Sequence, residues 1–336
     1  MERIAYIIGN TYIYWSAVVR TLAACAAVCT FLALYLRKEK RMLAAAVCVP
    51  LAEVLSLFLA RMAHWYFRPD SYESLEAAMN LVMPGGFALM GAFAGCFLAA
   101  VLLRLVRLTD NLPELLDCMC LAGGLGIGLG RLASFFNASN RGRIVSAGFG
   151  LPWVISGINP VSGETEYRLA TFLLQAMVCG LTVLVLLVFY LTGKRKDGDT
   201  ALLFLLFYGV SQVMLDSTRY DALFLRSNGF IRVVQVLGAA AATLAVIIFA
   251  VRLVQAGGWK KWYTALWLFQ AACFGLAGYM EYYVQRHGGE AVFAYSVMGA
   301  ALAGIAFSAL LTWHAAAVEE RKHAAWLQQI TEGEIC

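Results

Sequence analysis

The sequence predicts an all-α, polytopic integral membrane protein with about nine transmembrane helices. Three observations carry this. Of the 336 residues, 61% are hydrophobic and only 14% charged, with a mean hydropathy of +0.72, far from the balance of a soluble domain. Apolar runs long enough to cross a bilayer recur along the chain. The weak period-two alternation of an outer-membrane barrel is absent.

In chain order the runs lie near 13–36, 42–64, 83–108, 113–135, 168–192, 200–217, 230–252, 262–284 and 292–316. The first is too long for a signal peptide and lacks both a basic leader and a small-residue cleavage site. Residues 65–82 carry Arg68, Asp70, Glu73 and Glu76, and residues 136–167 are polar and glycine-rich with Pro152 and Pro160. Both segments are too long for simple turns, and the second is expected to form a cap or re-entrant segment. The run "GGLGIGLGR" is not a dinucleotide loop, because no strand precedes it and no acid follows on a second strand. Its pairs Gly124/Gly128 and Gly126/Gly130 instead predict close helix contacts, which would hold Arg131 at a fixed depth. Residues 255–336 add two spans and a charged tail without a polar constellation.

Charge sets the expected topology. Lys38, Lys40, Lys194, Lys196, Lys260, Lys261 and Lys322 are all the lysines, and they fall in blocks after odd-numbered spans. The positive-inside rule makes those loops cytoplasmic, with the N-terminus outside and the C-terminus inside. The basic residues of the spans and outer loops, from Arg3 to Arg286, are all arginines. Topology does not distinguish arginine from lysine, whereas a planar five-donor fork suits a phosphate or a lipid headgroup. The net charge of +5 is spread over short loops and points to no nucleic-acid partner.

The nine cysteines form no CxxC pair and no Cys/His cluster, so they read as small apolar residues; no metal site and no cofactor are expected. Cys336 lacks a prenylation box.

Polar residues gather at the outer ends of spans. In "YGVSQVMLDSTRYD", helical spacing puts Gln212, Asp216 and Arg219 on one face at i, i+4 and i+7, with Asp216 expected to pair with Arg219. Arg131 ends the fourth span and Arg61, in "LARMAHWYF", the second. Arginines on three helices are thus expected to converge on one anion, and a lipid phosphate is the obvious anion at that depth. Fixed cations would stabilise its charge as it leaves in a displacement reaction.

The stretch "GRLASFFNASNRGR" resembles the signature of prolipoprotein diacylglyceryl transferases, G-R-x-G-N-F-x-N-x-x-x-x-G-R. Gly130, Arg131, Phe135, Asn137, Gly142 and Arg143 match at the same spacing. Weaker likenesses follow in family order: "IYWSAVVR", "LARMAHWYF", "PGGFALMGAFAG", "TEYRLATFLLQA", "YGVSQVMLDSTRYDALF" and "IRVVQVLG". Together they cover about residues 10–255 and seven family spans. The resemblance implies domains at 1–255 (transferase-like), 256–318 (two extra helices) and 319–336 (cytoplasmic tail), in a bacterial inner membrane. It implies transfer of a diacylglyceryl group from phosphatidylglycerol to a lipobox cysteine thiol, with prolipoprotein signal peptides as partners alongside phosphatidylglycerol or another anionic phospholipid. Arg131 and Asp216 would be catalytic. Arg131, Asn137, Arg143, Gln212, Arg219 and Arg61 would bind substrate.

The sequence also departs from the family pattern. Met90 stands where the family has a histidine and Gln212 where it has an arginine. Ser134 replaces the first signature asparagine, Ser16 stands at a tyrosine position, and Asn140 or Ala138 stands where the motif has an acid. Methionine accepts no proton and glutamine carries no charge. His64 is the outer-side histidine within a span, readable as a substitute base or as a buried, hydrogen-bonded side chain. The alternative to a diverged transferase is therefore a catalytically inactive lipid-binding or interaction protein on the same scaffold.

Overall fold

The computed structural model describes residues 4–9, 11–81, 85–137, 139–145, 153–158, 163–193, 195–226, 228–287 and 291–333. Arg3, Ala138, Pro152, Pro160, Lys194 and Cys336 lie outside them. A long helix stands at each predicted run: α1 (Trp15–Lys38), α2 (Met42–Phe67), then after the short α3 (Leu75–Met79), α4 (Leu89–Leu105), α5 (Leu112–Arg131), α6 (Thr171–Leu191), α7 (Asp199–Ser217), α8 (Val233–Gly257), α9 (Lys261–His287) and α10 (Ala291–Gly333). Among the described residues, seven helical segments are long and apolar enough to cross a bilayer. α4 has 17 residues, and α9 is long but more polar. The protein is a multi-pass, all-α membrane protein.

Three two-stranded hairpins were not anticipated. β1 (Ile4–Ile8) pairs with β2 (Thr11–Tyr14), β3 (Val154–Ile158) with β4 (Thr165–Leu169), and β5 (Phe224–Leu225) with β6 (Asn228–Arg232), all antiparallel. They lead into α1, α6 and α8 with at most one intervening residue. Their apolar residues merge with the following span in the sequence, which is why the predicted runs at 168 and 230 begin inside strands.

The chain divides into two compact units. In the first, residues 1–204 and 218–234, α5 lies between α1 and α6, and α2 packs along α4. The glycine pattern of α5 works as expected. A Cβ at Gly124 would lie 2.6 Å from Val183 of α6, and one at Gly126 would lie 3.0 Å from Ala27 of α1. Gly128 faces Ala176 and Gly180 of α6, and Gly130 more loosely faces Ala23 of α1.

At the lysine-bearing end of this unit sits a buried ion cluster. Arg195 bridges Glu114 (2.6 Å) and Asp117 (2.5 Å), and both carboxylates are fully buried. Glu114 also accepts from Lys38 and from the Tyr190 hydroxyl. Asp117 accepts from the backbone N–H groups of Gly198 and Ala201, so a side chain of α5 caps the start of α7. Burial works against the charge on Arg195, yet the Glu114 hydrogen bond and both carboxylate charges raise its pKa above the usual arginine value.

The second unit, residues 205–217 and 235–336, holds the rest of α7 with α8, α9 and α10. α7 and α8 cross closely at Gly209 and Gly238, and α9 pairs with α10. Leu253, Tyr263 and Ala316 form a buried cluster. α10 runs unbroken past residue 319, where Glu319 pairs with Lys260 and Glu320 with Arg252.

Removing one partner of a buried ion pair leaves an uncompensated charge and costs about 3–5 kcal/mol. Arg195→Ala removes the cation that two such carboxylates share and is expected to lower the melting temperature in detergent markedly. Lys38, whose side chain is 44% exposed, should cost under about 1 kcal/mol as Lys38→Ala. Equal melting of the two variants would contradict the role given to Arg195.

Candidate functional site

The signature segment folds as a loop pinned at both ends. α5 stops at Arg131, a 3-10 turn covers Leu132–Phe135, and Ser134 and Asn137 are buried. Asn137 Oδ1 accepts from the backbone N–H and the hydroxyl of Ser139, at 3.0 and 2.6 Å, closing a local turn. Asn140 follows with φ at +57°, a left-handed conformation that asparagine tolerates better than most residues.

Asn140 is the hub. Its Oδ1 accepts from Arg131 Nη1, and its Nδ2 donates to the Ser134 hydroxyl at 3.2 Å. Its backbone N–H donates to Asp221 Oδ2 at 2.9 Å. Asp221 Oδ1 in turn accepts from Arg219 Nε and Nη2 at 3.1 and 2.9 Å. Arg131 and Arg219 are thus joined through one amide and one carboxylate, from stretches about eighty residues apart.

Backbone hydrogen bonds hold the far end. Gly142 N donates to Leu169 O, Arg143 N to Thr218 O, Leu169 N to Arg143 O, and Tyr220 N to Arg141 O. A Cβ on Gly142 would lie 2.5 Å from Thr171 Oγ1 and 2.8 Å from Leu169 O, so only glycine fits there. Arg141 donates to Asn137 O, and burial together with the Arg168 charge lowers its pKa. Arg168 pairs with Glu166 and lies over the Tyr220 ring. The half-buried Arg143 guanidinium has no protein partner among the described residues.

The predicted site residues therefore separate. Arg131, Asn137, Arg143 and Arg219 share one corner of the first unit. Arg61 is fully buried elsewhere in it, donating to the carbonyls of Ala78, Asn80 and Gly86 and lying over the rings of Tyr72 and Phe87. It fastens the segment between α2 and α4. Gln212 and Asp216 belong to the second unit, at 3% and 0% exposure, where neighbouring Ser217 meets the Tyr295 hydroxyl at 3.2 Å. α7 ends at Ser217, so Arg219 is not on its face as expected. A β-bridge to Gly142 places it instead, because the chain turns extended to pair with the signature loop.

Met90, half-buried in the first turn of α4, offers no proton-accepting nitrogen. His64 Nδ1 lies 2.8 Å from the Tyr72 hydroxyl, which donates to Gly86 O. The hydrogen bond of the second reading is present, on a half-buried ring. Asp221 was missed. It closes the quoted stretch, but a carboxylate two residues from Arg219 falls outside helical spacing and gave no signal.

A family model described as prolipoprotein diacylglyceryl transferase matches residues 3–251. Among similar proteins is the phosphatidylglycerol–prolipoprotein diacylglyceryl transferase of Staphylococcus saprophyticus, 27% identical over 208 residues, 60% of this chain and 72% of that one. That of Bacillus velezensis is 25% identical over 256 residues, 74% and 91% of the two chains. A Clostridium perfringens transferase of the same name, numbered 1, is 24% identical over 264 residues, 75% and 96%.

Asp221→Ala removes the acceptor for both Asn140 N–H and Arg219, so a loss of about 1–3 kcal/mol is expected. Limited proteolysis should then cut within residues 139–143 faster than in wild type, and Asp221→Asn, which keeps one oxygen acceptor, should fall between. Unchanged cleavage in Asp221→Ala would remove Asp221 from the network.

Proposed function

The chain belongs to the prolipoprotein diacylglyceryl transferase family, and on that footing we propose that it moves a diacylglyceryl group from phosphatidylglycerol to the thiol of a lipobox cysteine. The observation that supports this is the Gly130–Arg143 segment, which carries Arg131 and Arg143 in one short loop pinned at the end of α5. A lipid phosphate on those cations lies at the depth where the helix ends. The thiolate sulfur attacks the glyceryl carbon, a C–S bond forms as the C–O bond to phosphate breaks, and glycerol phosphate leaves with the electron pair. The thiol proton passes to solvent or to the departing phosphate. Arg131 and Arg143 oppose the charge that grows on the leaving group, with Arg219 behind them. By the family resemblance, Asp216 stands at the position of the family acid and Gln212 at that of a family arginine. Arg61 acts by holding the loop before α4.

In this reading residues 1–255 are the transferase domain, 256–318 two further spanning helices and 319–336 a cytoplasmic tail. The protein sits in the bacterial inner membrane with its signature end outside and its lysine end inside. A reporter active only in the cytoplasm, fused after Cys336, should be active; a stable but silent fusion would reverse the topology and the site with it.

A second reading is favoured by Met90. Without a proton acceptor there, and without the cation that Gln212 replaces, the chain would bind lipid on the same scaffold and transfer nothing. Binding and chemistry are tested separately. Losing a charge-assisted phosphate contact costs about 1.5–3 kcal/mol, so Arg131→Ala should weaken phosphatidylglycerol binding about tenfold or more, with Arg131→Lys restoring part of it. Equal affinities would remove Arg131 from the lipid site. Lipid attachment to a lipobox peptide in phosphatidylglycerol vesicles should be slow and climb towards the thiol pKa of about 8.5. Met90→His with Gln212→Arg should accelerate it. A chain inert at every pH, and inert after that double change while folded, is a binding protein and no transferase.

A further inference from the structure

The end of the signature loop is one side of a short ladder. Residues 140–143 run antiparallel to residues 218–221: Arg143 N donates to Thr218 O at 2.9 Å, Gly142 forms a β-bridge with Arg219, and Tyr220 N donates to Arg141 O at 3.0 Å. The next pair in register is Asn140 with Asp221. There the ladder closes through a side chain, with Asp221 Oδ2 accepting from the Asn140 N–H at 2.9 Å. Before the ladder, Phe136 stacks on Trp15 of α1 with ring centroids 6.0 Å apart, and Phe135 packs edge-on against Phe172 of α6 at 4.7 Å. Asn140 thus begins a held segment that follows a held turn.

The Asn140 amide has one favourable orientation. Nδ2 faces two hydroxyls that can accept, Ser134 at 3.2 Å and Ser139 at 3.4 Å. Oδ1 faces Arg131 Nη1, which can only donate. Turning the amide over would set Nδ2 against Nη1, donor against donor, so the hydrogen-bond network keeps the oxygen on the arginine side. Arg131 is the last residue of α5 and is half-buried. An arginine side chain has wide rotamer freedom. A contact that removes that freedom in advance lowers the cost of binding an anion later.

We propose that Asn140 is a positioning residue of the lipid-phosphate site: it holds the Arg131 guanidinium ready for the headgroup, while Asp221 holds Asn140 itself. The inference rests on the lipid-binding role proposed for Arg131 and not on transfer chemistry. Asn140 touches no reacting atom and acts through Arg131. Its left-handed backbone separates the side chain from the loop experimentally. Glycine is relaxed at a φ of +57°, so Asn140→Gly keeps the N–H that Asp221 accepts and removes only the amide.

The test uses the purified full chain in detergent, with dioleoyl phosphatidylglycerol as probe, dioleoyl phosphatidylcholine as zwitterionic control and native mass spectrometry as readout. A double-mutant cycle separates positioning from general loosening of the loop. Asn140→Gly should weaken phosphatidylglycerol binding about three- to tenfold, the cost of ordering one arginine side chain on binding. In the Arg131→Ala background the same change should alter affinity by less than about twofold, because no guanidinium is left to hold. Phosphatidylcholine binding should respond to neither substitution. If Asn140→Gly leaves phosphatidylglycerol binding unchanged while Arg131→Ala weakens it, the lipid site stands and the positioning role fails. If Asn140→Gly costs the same factor in both backgrounds, Asn140 acts apart from Arg131 and the inference fails. If Arg131→Ala itself changes nothing, the lipid-site reading falls and takes the inference with it.

Discussion

A guanidinium group removed from water must be given partners, because stranding its charge among apolar helices costs several kcal/mol. Much of the first unit is organised by how the chain meets that demand. Arg195 is neutralised by Glu114 and Asp117, and the same Asp117 caps α7, so one ion cluster sets where a helix begins. Arg61 is met by carbonyls and aromatic faces, so the segment between α2 and α4 wraps around it. Arg131 is met by Asn140, which Asp221 anchors from across the chain. Each of these cations recruits a different stretch of chain, and the loops take their shape from that recruitment.

The corner at the end of α5 follows from two requirements. The helices must approach closely to fix Arg131, and glycine at 124 and 126 lets them. The loop that follows must turn back on itself, and Asn140 with φ at +57° lets it. One glycine-rich helix thus serves as a packing surface towards both α1 and α6. The signature loop closes over the end, where Gly142 admits the Leu169–Thr171 backbone against it.

The sequence by itself determined the membrane-spanning class, the position of the long helices, the family likeness and the glycine contacts of α5. These follow from composition and local spacing, since a span needs only length and hydropathy and a small-residue face needs only helical phase. That Arg131, Asn137 and Arg143 share one short segment was legible for the same reason, since spacing within a motif is local. Tertiary structure alone decided what each charged group does. Arg61 and Arg131 look alike in sequence, an arginine at the end of an apolar run, yet one grips the loop before α4 and the other bonds Asn140 of the signature loop. Arg219 left the helical phase assigned to it because pairing with Gly142 competes with one more turn of α7. Asp221, Glu114 and Asp117 acquire their roles from partners 75 or more residues away in the chain, and the three hairpins from partners across a turn. The physical reason is common to all: periodicity reports which face a residue occupies, whereas the partner that satisfies a charge is chosen by which backbone the fold brings within hydrogen-bonding distance.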